Sequence, residues 1–177
     1  MAEQNEQNQA QATPQAVFRM QKMYVKDMSF ESPRAPKVFQ TSQKHEPTIE
    51  LDLKMKNSVV ETDNYEVSLS ISAKMVDKAN DKAVLFAVEV EHAAVFLIRG
   101  IPQEHMERVL SVDCPFMLFP YTRQIVSQIT MDGGFMPLIL DPINFAAMFE
   151  SMKQKQKEDA EKKQKGDKDA KQQEKKA

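Results

Sequence analysis

Residues 65–75 read YEVSLSISAKM, a stretch in which apolar and polar side chains alternate from end to end. The apolar set begins with Tyr65 and Val67, and the polar set between them begins with Glu66. A two-residue period puts alternate side chains on opposite faces of an extended chain, so this stretch predicts a β-strand with one buried and one solvated face. Residues 48–56, TIELDLKMK, alternate in the same way and predict a second such strand.

Two further segments complete a predicted four-stranded sheet. Residues 17–30, VFRMQKMYVKDMSF, alternate with slips in phase, a pattern typical of a long strand with a bulge. Residues 83–98, AVLFAVEVEHAAVFLI, are apolar at successive positions near their start, which predicts a strand buried on both faces there. Turn-forming residues at 57–64 and 76–82 join the later strands, and links this short favour antiparallel pairing.

The link between the first two strands is different. Residues 31–47, ESPRAPKVFQTSQKHEP, are too many for a hairpin and include the apolar pair Val38 and Phe39. An exposed connection rarely carries a phenylalanine, so we expect this segment to fold back onto the body and cross over another element.

Helical patterns follow the strands. Residues 102–110 predict a short helix, and Pro120 predicts the first turn of a second one, where its missing N–H costs nothing. That helix is expected to end before Gly133. Asp141 and Pro142 predict the cap and first turn of a third helix. Strands followed by helices are typical of an α+β fold, here one four-stranded antiparallel sheet with helices packed on one face.

The chain divides into a body and two polar ends. Residues 1–16 are predicted to be a disordered N-terminal segment, residues 17–150 to be the folded domain, and residues 151–177 to be a Lys/Gln-rich tail, the end of a helix and then disordered. The body carries an excess of acidic side chains and the tail an excess of lysines. A nucleic-acid-binding domain would place positive charge on its folded face, so we expect no nucleic-acid partner.

The sequence lacks the features of common catalytic and cofactor sites. Its four glycines fit no phosphate-binding loop, and its one cysteine, Cys114, excludes an internal disulfide. Three histidines, His45, His92 and His105, are not at metal-ligand spacing. We therefore expect no enzyme activity, no metal and no other cofactor. The N-terminus lacks the pattern of a secretion signal and no apolar run could span a bilayer, which predicts a cytoplasmic protein.

The apolar surface predicted for this chain is larger than its short helices can cover. Fully burying a phenylalanine or leucine side chain is worth roughly 1.5–3 kcal/mol, so leaving several exposed would be costly and would favour aggregation. We therefore predict a homo-oligomer. The interface is expected on the fourth strand and the second helix, at Val88, Val90, Ile125 and Ile129.

Three motifs resemble the SecB family of protein-export chaperones: YVKDMSFESPRAPKVF at residues 24–39, CPFMLFPYTRQ at 114–124 and GGFMPLILDPINFAAMF at 133–149. They occur in the family's order, and the resemblance covers about residues 17–150. It implies a homotetramer built as a dimer of dimers, which binds unfolded precursor proteins without ATP and passes them to the SecA motor. It implies no direct insertion into the membrane.

The resemblance also implies roles for individual residues. The acidic positions that the family uses against SecA look like Asp27, Glu31 and Glu89, although a solvated strand face would carry such charges in any case. The crossover residues Val38 and Phe39 are implied to line a groove for unfolded clients. Five aromatic residues are further candidates for that groove, and internal core is an equally good position for each: Phe119, Tyr121, Phe135, Phe145 and Phe149.

Two other classes of function fit the sequence. One is an oligomeric interaction module whose apolar groove takes a single fixed protein partner. The other is a small-molecule hydrolase or a lipid-binding protein of similar α+β build, which would need a closed pocket.

Overall fold

The computed structural model of the chain describes residues 16–40 and 46–157. The expectations for residues 1–16 and for the tail beyond residue 157 therefore lie almost entirely outside the described residues. A third helix, α3, is described over residues 145–157, so helical structure continues past residue 150. The other elements are β1 Val17–Glu31, β2 Pro47–Glu61, β3 Asn64–Asp77, β4 Ala83–Arg99, α1 Gln103–Arg108 and α2 Cys114–Asp132.

The four strands form one antiparallel sheet in the order β1-β4-β3-β2. This confirms the predicted fold class, an α+β fold with helices on one face of a four-stranded sheet. The β1 strand has two irregularities in register, between Met20 and Lys22 and between Val25 and Asp27, which confirms the predicted break in its alternation. An extra residue at each irregularity shifts the following side chains to the opposite face of the sheet.

The β1–β2 connection crosses the sheet, as predicted, because β1 and β2 lie at opposite edges. The Ser32 hydroxyl donates to the Leu85 carbonyl oxygen at 3.3 Å, which ties the start of the connection to β4. The Glu46 N–H donates to the Asp77 carboxylate at 3.0 Å, which ties its end to β3. Leu85 and its neighbour Phe86 are both buried, so the start of β4 is covered on both sides as the sequence predicts.

The turn between β2 and β3 is shorter than predicted. Residues 57–61 belong to β2, and they pair with the start of β3 as far as Glu61 opposite Asn64. Backbone hydrogen bonds build this part of the ladder and do not require an apolar face. Val59 and Val60 also suit a strand because they are β-branched.

The core lies between the sheet and α2. Alternate residues of β3 and β4 point toward the helix, and α2 contributes a line of buried residues spaced every four positions. This line includes two threonines, Thr122 and Thr130. The fully buried members of this layer are Val67, Leu69, Ile71, Ala73, Phe86, Val88, Val90, Ala94, Phe96, Cys114, Leu118, Thr122, Val126 and Thr130.

The α2 helix begins earlier than predicted. A π-helical turn, Val109–Asp113, joins α1 to α2, and Pro115 occupies the first turn of α2. Pro120 therefore lies inside the helix, where a proline removes one backbone hydrogen bond. Leu118 and Phe119 are buried beside it, and their packing offsets the loss.

Candidate binding surfaces

The three acidic residues predicted from the family resemblance lie together on the solvated face of the sheet. Ser29 is directly opposite Glu89 in the β1–β4 register. Asp27 and Glu31 flank Ser29 on the same face of β1, so each is a diagonal neighbour of Glu89. Within the described residues, none of the three acidic side chains takes part in an ion pair.

Two further acidic residues, not predicted from the sequence, lie close to these three. Asp52 and Glu91 line a shallow depression of about 170 Å³ together with Asp27 and Glu89. Lys54 lies 3.3 Å from Asp52, and Lys26 lies 3.9 Å from Glu91 and 3.2 Å from Glu66. We call Asp27, Glu31, Asp52, Glu89 and Glu91 the acidic face.

A cluster of four aromatic rings lies where the crossover connection meets the end of α2. Phe135 is at its centre, with ring-centroid distances of 4.8 Å to Phe86, 5.1 Å to Phe39 and 6.1 Å to Phe30. Phe86 is buried, whereas Phe39 is 47% exposed. We call these four residues the aromatic site. Its base is buried core and its outer ring faces solvent.

Two glycines let the rings approach the backbone after α2. A Cβ at Gly133 would lie 2.2 Å from the Phe30 ring, so any other residue there would force the ring to move. A Cβ at Gly134 would lie 3.2 Å from the Phe39 ring, and Gly134 also has a positive φ of 84°, which disfavours other residues. The GGF sequence therefore shapes the aromatic site as well as ending the helix.

The predicted groove residues fall into three places. Val38 and Phe39 are in the crossover, and Phe39 contacts Phe135 in the aromatic site. Tyr121 lies elsewhere, on the side of α2 that faces β1. The structure buries the other three in the core of the single chain, and one of them, Phe145, also borders a pocket beside Phe116. They are Phe119, Phe145 and Phe149.

A second apolar surface runs between β1 and α2. It is a groove of about 550 Å³, and Met28, Val25 and Met23 on its β1 side are 49%, 44% and 39% exposed. The α2 side contributes Ile125 and Ile129, two of the predicted interface residues, together with Tyr121. We call this surface, with His92 at its base, the β1–α2 groove.

The other two predicted interface residues are not at a surface. Val88 and Val90 are 0% and 1% exposed in the single chain because they point from the central strand β4 into the core under α2. Their side chains are already fully packed and have no area left for a second copy.

His92 is a buried polar residue at the base of the β1–α2 groove. Its Nδ1 lies 3.0 Å from the Thr122 hydroxyl oxygen. The Thr122 hydroxyl donates to the Leu118 carbonyl oxygen at 3.3 Å, so it accepts the hydrogen bond from Nδ1–H. Burial lowers the pKa of the His92 imidazole below its usual value of 6.5, because the charged form loses solvation.

The remaining candidates for chemistry are one buried cysteine and two histidines. Burial raises the pKa of the Cys114 thiol to about 12, with a smaller contribution from Asp113, so the thiolate is not formed at neutral pH. His105 is exposed beside Glu104, and His45 lies outside the described residues. No group of three or more His, Cys, Asp or Glu side chains in the described part of the chain could hold a metal ion. Every helix described is too short or too polar to cross a lipid bilayer.

The fold and these surfaces define a protein of the sheet-and-helix type that exposes apolar and acidic surfaces suited to contacts with other polypeptides. Comparison with known proteins agrees. The family model described as preprotein translocase subunit SecB matches residues 9–156. The chain therefore belongs to the SecB family of protein-export chaperones, as the three sequence motifs predict.

Individual relatives support this assignment. The chain is 52% identical over 159 residues to a protein-export protein SecB from Desulfotalea psychrophila, which covers 89% of this chain and 97% of that relative. It is 42% identical over 150 residues to one from Magnetococcus marinus, covering 85% and 93%. A solved SecB-like chaperone from Mycobacterium tuberculosis, in complex with a ChAD peptide from an antitoxin, has the same fold, with a TM-score of 0.58 and 19% identity. That match covers 71% of this chain and 90% of the other.

The burial of His92 leads to a testable dependence of stability on pH. Because its pKa is lower in the folded than in the unfolded chain, the unfolded chain binds more protons as the pH falls below about 6.5. The contribution of His92 to stability is therefore fully present above that pH and is lost as the pH falls through the folded-state pKa. In urea unfolding, the wild type should lose stability relative to His92→Gln between pH 7.5 and pH 5.

The matched control for this measurement is His105→Gln, which changes an exposed histidine on α1. The free energy of unfolding of this variant should change with pH as that of the wild type does. A constant difference between wild type and His92→Gln at every pH would show that His92 is not titrating in this window.

Proposed function

We propose that this protein is an ATP-independent cytoplasmic chaperone that binds unfolded precursor proteins and delivers them to the SecA motor. The observation that carries the proposal is the aromatic site, where Phe39 is 47% exposed on top of Phe135 and a buried Phe86. Membership of a protein-export family supports this role, and such a role needs binding but no catalytic residue.

The physical basis of the proposal is differential binding. Folded proteins bury their large apolar side chains, whereas unfolded chains expose them, so the aromatic site selects the unfolded state. One site of this size gives weak binding. Several copies on one oligomer would engage the same client at several points and so raise the overall affinity through effective concentration.

We propose that the oligomer is a homotetramer, a dimer of dimers, and that the β1–α2 groove contributes to its interface. Three apolar side chains of β1, Met23, Val25 and Met28, remain 39–49% exposed beside Ile125 and Ile129. The β1 strand is also an edge strand, so a second copy could approach it closely. Covering these side chains with a second copy would recover burial energy that the single chain does not obtain.

We propose that the acidic face is where SecA docks. Asp27, Glu31 and Glu89 lie together and unpaired by basic side chains, and they would attract a basic segment of the partner. Charges of this exposed kind act mainly on the association rate and its dependence on salt.

The test of the chaperone function is the refolding of a slow-folding precursor. A stoichiometric amount of this protein, counted as tetramers, should slow refolding, because the bound client cannot fold. Phe39→Ser should weaken this effect about tenfold, since it removes most of the apolar area of one exposed ring per subunit.

Phe116→Ser is the control, because Phe116 is 68% exposed but lies outside the aromatic site. It should retard refolding as the wild type does. Absence of any retardation by the wild type would refute the chaperone function. Tight binding to one protein and to no other unfolded chain would favour the fixed-partner module instead.

The oligomer is tested by native mass measurement of the wild type and of Met28→Lys. A lysine in the β1–α2 groove would place a charge in the proposed interface, so the tetramer should give way to smaller species. Met136→Lys is the control, because Met136 is 85% exposed outside the groove. A wild type that is monomeric in dilute solution would contradict the oligomer, and tetrameric Met28→Lys would contradict this interface.

The acidic face is tested by the double variant Asp27→Lys with Glu89→Lys. SecA binding at low salt should weaken because two attractive charges become repulsive, while binding of unfolded client should not change. Glu104→Lys with Glu150→Lys makes the same change in net charge at exposed positions on the helices and should bind SecA normally. Equal SecA affinity for wild type and the Asp27/Glu89 variant would remove the assignment.

A further inference from the structure

The segment that carries Phe135 has no regular secondary structure of its own. Residues 133–144 follow the end of α2 as a turn and irregular chain, and Met136 and Ile139 within them are 85% and 61% exposed. Phe135 nevertheless contacts three other rings, which come from β1, the crossover and β4. Something outside this segment must therefore hold Phe135 in place.

A single buried residue, Thr130, bonds to the segment at two points, Phe135 and Leu138. The Thr130 carbonyl oxygen accepts the Phe135 N–H at 3.1 Å. Its hydroxyl oxygen accepts the Leu138 N–H at 3.0 Å. Thr130 is 0% exposed, so its end of both bonds is shielded from water.

The hydroxyl of Thr130 is suited to accept a hydrogen bond because its own proton is already donated to a carbonyl oxygen. The hydroxyl oxygen lies 2.9 Å from the Ser127 carbonyl oxygen and 3.1 Å from the Val126 carbonyl oxygen, so it donates into the preceding turn of α2. Its lone pairs remain free to accept from Leu138. The hydrogen bond from Leu138 is therefore accepted by a side chain that is fixed on α2.

The other buried threonine of α2 provides a comparison within the same molecule. Thr122 also donates into the preceding turn, to Leu118, but its acceptor bond goes to His92 under the β1–α2 groove. Both threonines are buried on α2, and both donate to a carbonyl oxygen of the preceding turn. They differ in the residue whose hydrogen bond they accept, which is His92 for Thr122 and Leu138 for Thr130.

We propose that Thr130 is the positioning residue of the aromatic site: its hydroxyl holds residues 135–138 so that Phe135 supports Phe39 for client binding. The proposal rests on the proposed chaperone function. Without the hydroxyl, the Leu138 N–H must find water, and the segment moves outward to reach it. Phe39 then loses the ring it packs on.

The experiment uses Thr130→Val, which keeps the shape of threonine and the backbone bond to Phe135 but removes the hydroxyl. The first measurement is the dissociation constant for a reduced, carboxymethylated protein that stays unfolded. The second is acrylamide quenching of a Phe39→Trp reporter placed in each variant, which is a clean probe because the chain has no tryptophan. Native mass and thermal unfolding confirm that assembly and fold are retained.

Thr130→Val should weaken binding of the unfolded protein about five- to tenfold and raise quenching of Trp at position 39 about twofold. Thr130→Ser, which keeps the hydroxyl, should stay within about twofold of the wild type in both measurements. Thr122→Val, the same substitution two turns earlier, should also leave both unchanged. If Thr130→Val reduces the folded fraction, Thr130→Ala removes the hydroxyl without the second methyl group and takes its place.

The outcomes separate this proposal from the proposed function. If the wild type binds the unfolded protein and Thr130→Val binds it equally tightly, the positioning role is refuted and the chaperone function stands. Equal losses in Thr130→Val and Thr122→Val would also refute it, because general destabilisation of α2 would then explain both. A wild type that does not bind the unfolded protein refutes the proposed function, and the positioning role with it.

Discussion

The packing of one helix on a sheet wider than itself determines the surfaces of this molecule. Four strands spaced about 4.8 Å apart place the two edge strands about 14 Å from each other, whereas a helix with its side chains is about 10–12 Å wide. The α2 helix packs mainly on the central strands β4 and β3. Apolar side chains at the edges, such as Met28 on β1 and Leu51 on β2, are therefore left about half exposed.

The two irregularities of β1 decide which side chains reach which face. The shift after Met20 turns Met23 and Val25 toward the helix layer, where strict alternation would have turned them away. The shift after Val25 returns the strand to its original phase. It thus places Asp27 on the solvated face and Met28 in the groove. One strand therefore supplies both the acidic face and the β1–α2 groove.

The strands could be predicted from the sequence because a two-residue period is a local property of the chain. The position of Glu89 beside Asp27 required the β1–β4 register, which depends on the bulges and on the crossover and cannot be deduced from either strand alone. The buried threonines were missed because threonine counts as polar in a hydrophobic pattern. In α2 the hydroxyls of Thr122 and Thr130 bond to carbonyl oxygens of the preceding turn, which makes their burial possible.

The sequence also does not distinguish buried aromatic residues from exposed ones. Phe119 and Phe39 are equally apolar in sequence, yet one is 6% and the other 47% exposed, because Phe119 lies on α2 against the sheet and Phe39 lies on the crossover connection. The aromatic site thus lies at the end of the helix layer, and the acidic face lies on the reverse side of the sheet. A client held at the first and a motor docked on the second would not compete for the same side chains. Exposed charges act mainly on the association rate, and buried apolar contacts act mainly on the dissociation rate. Substitutions on this sheet can therefore change the proposed binding of SecA and the proposed binding of client independently.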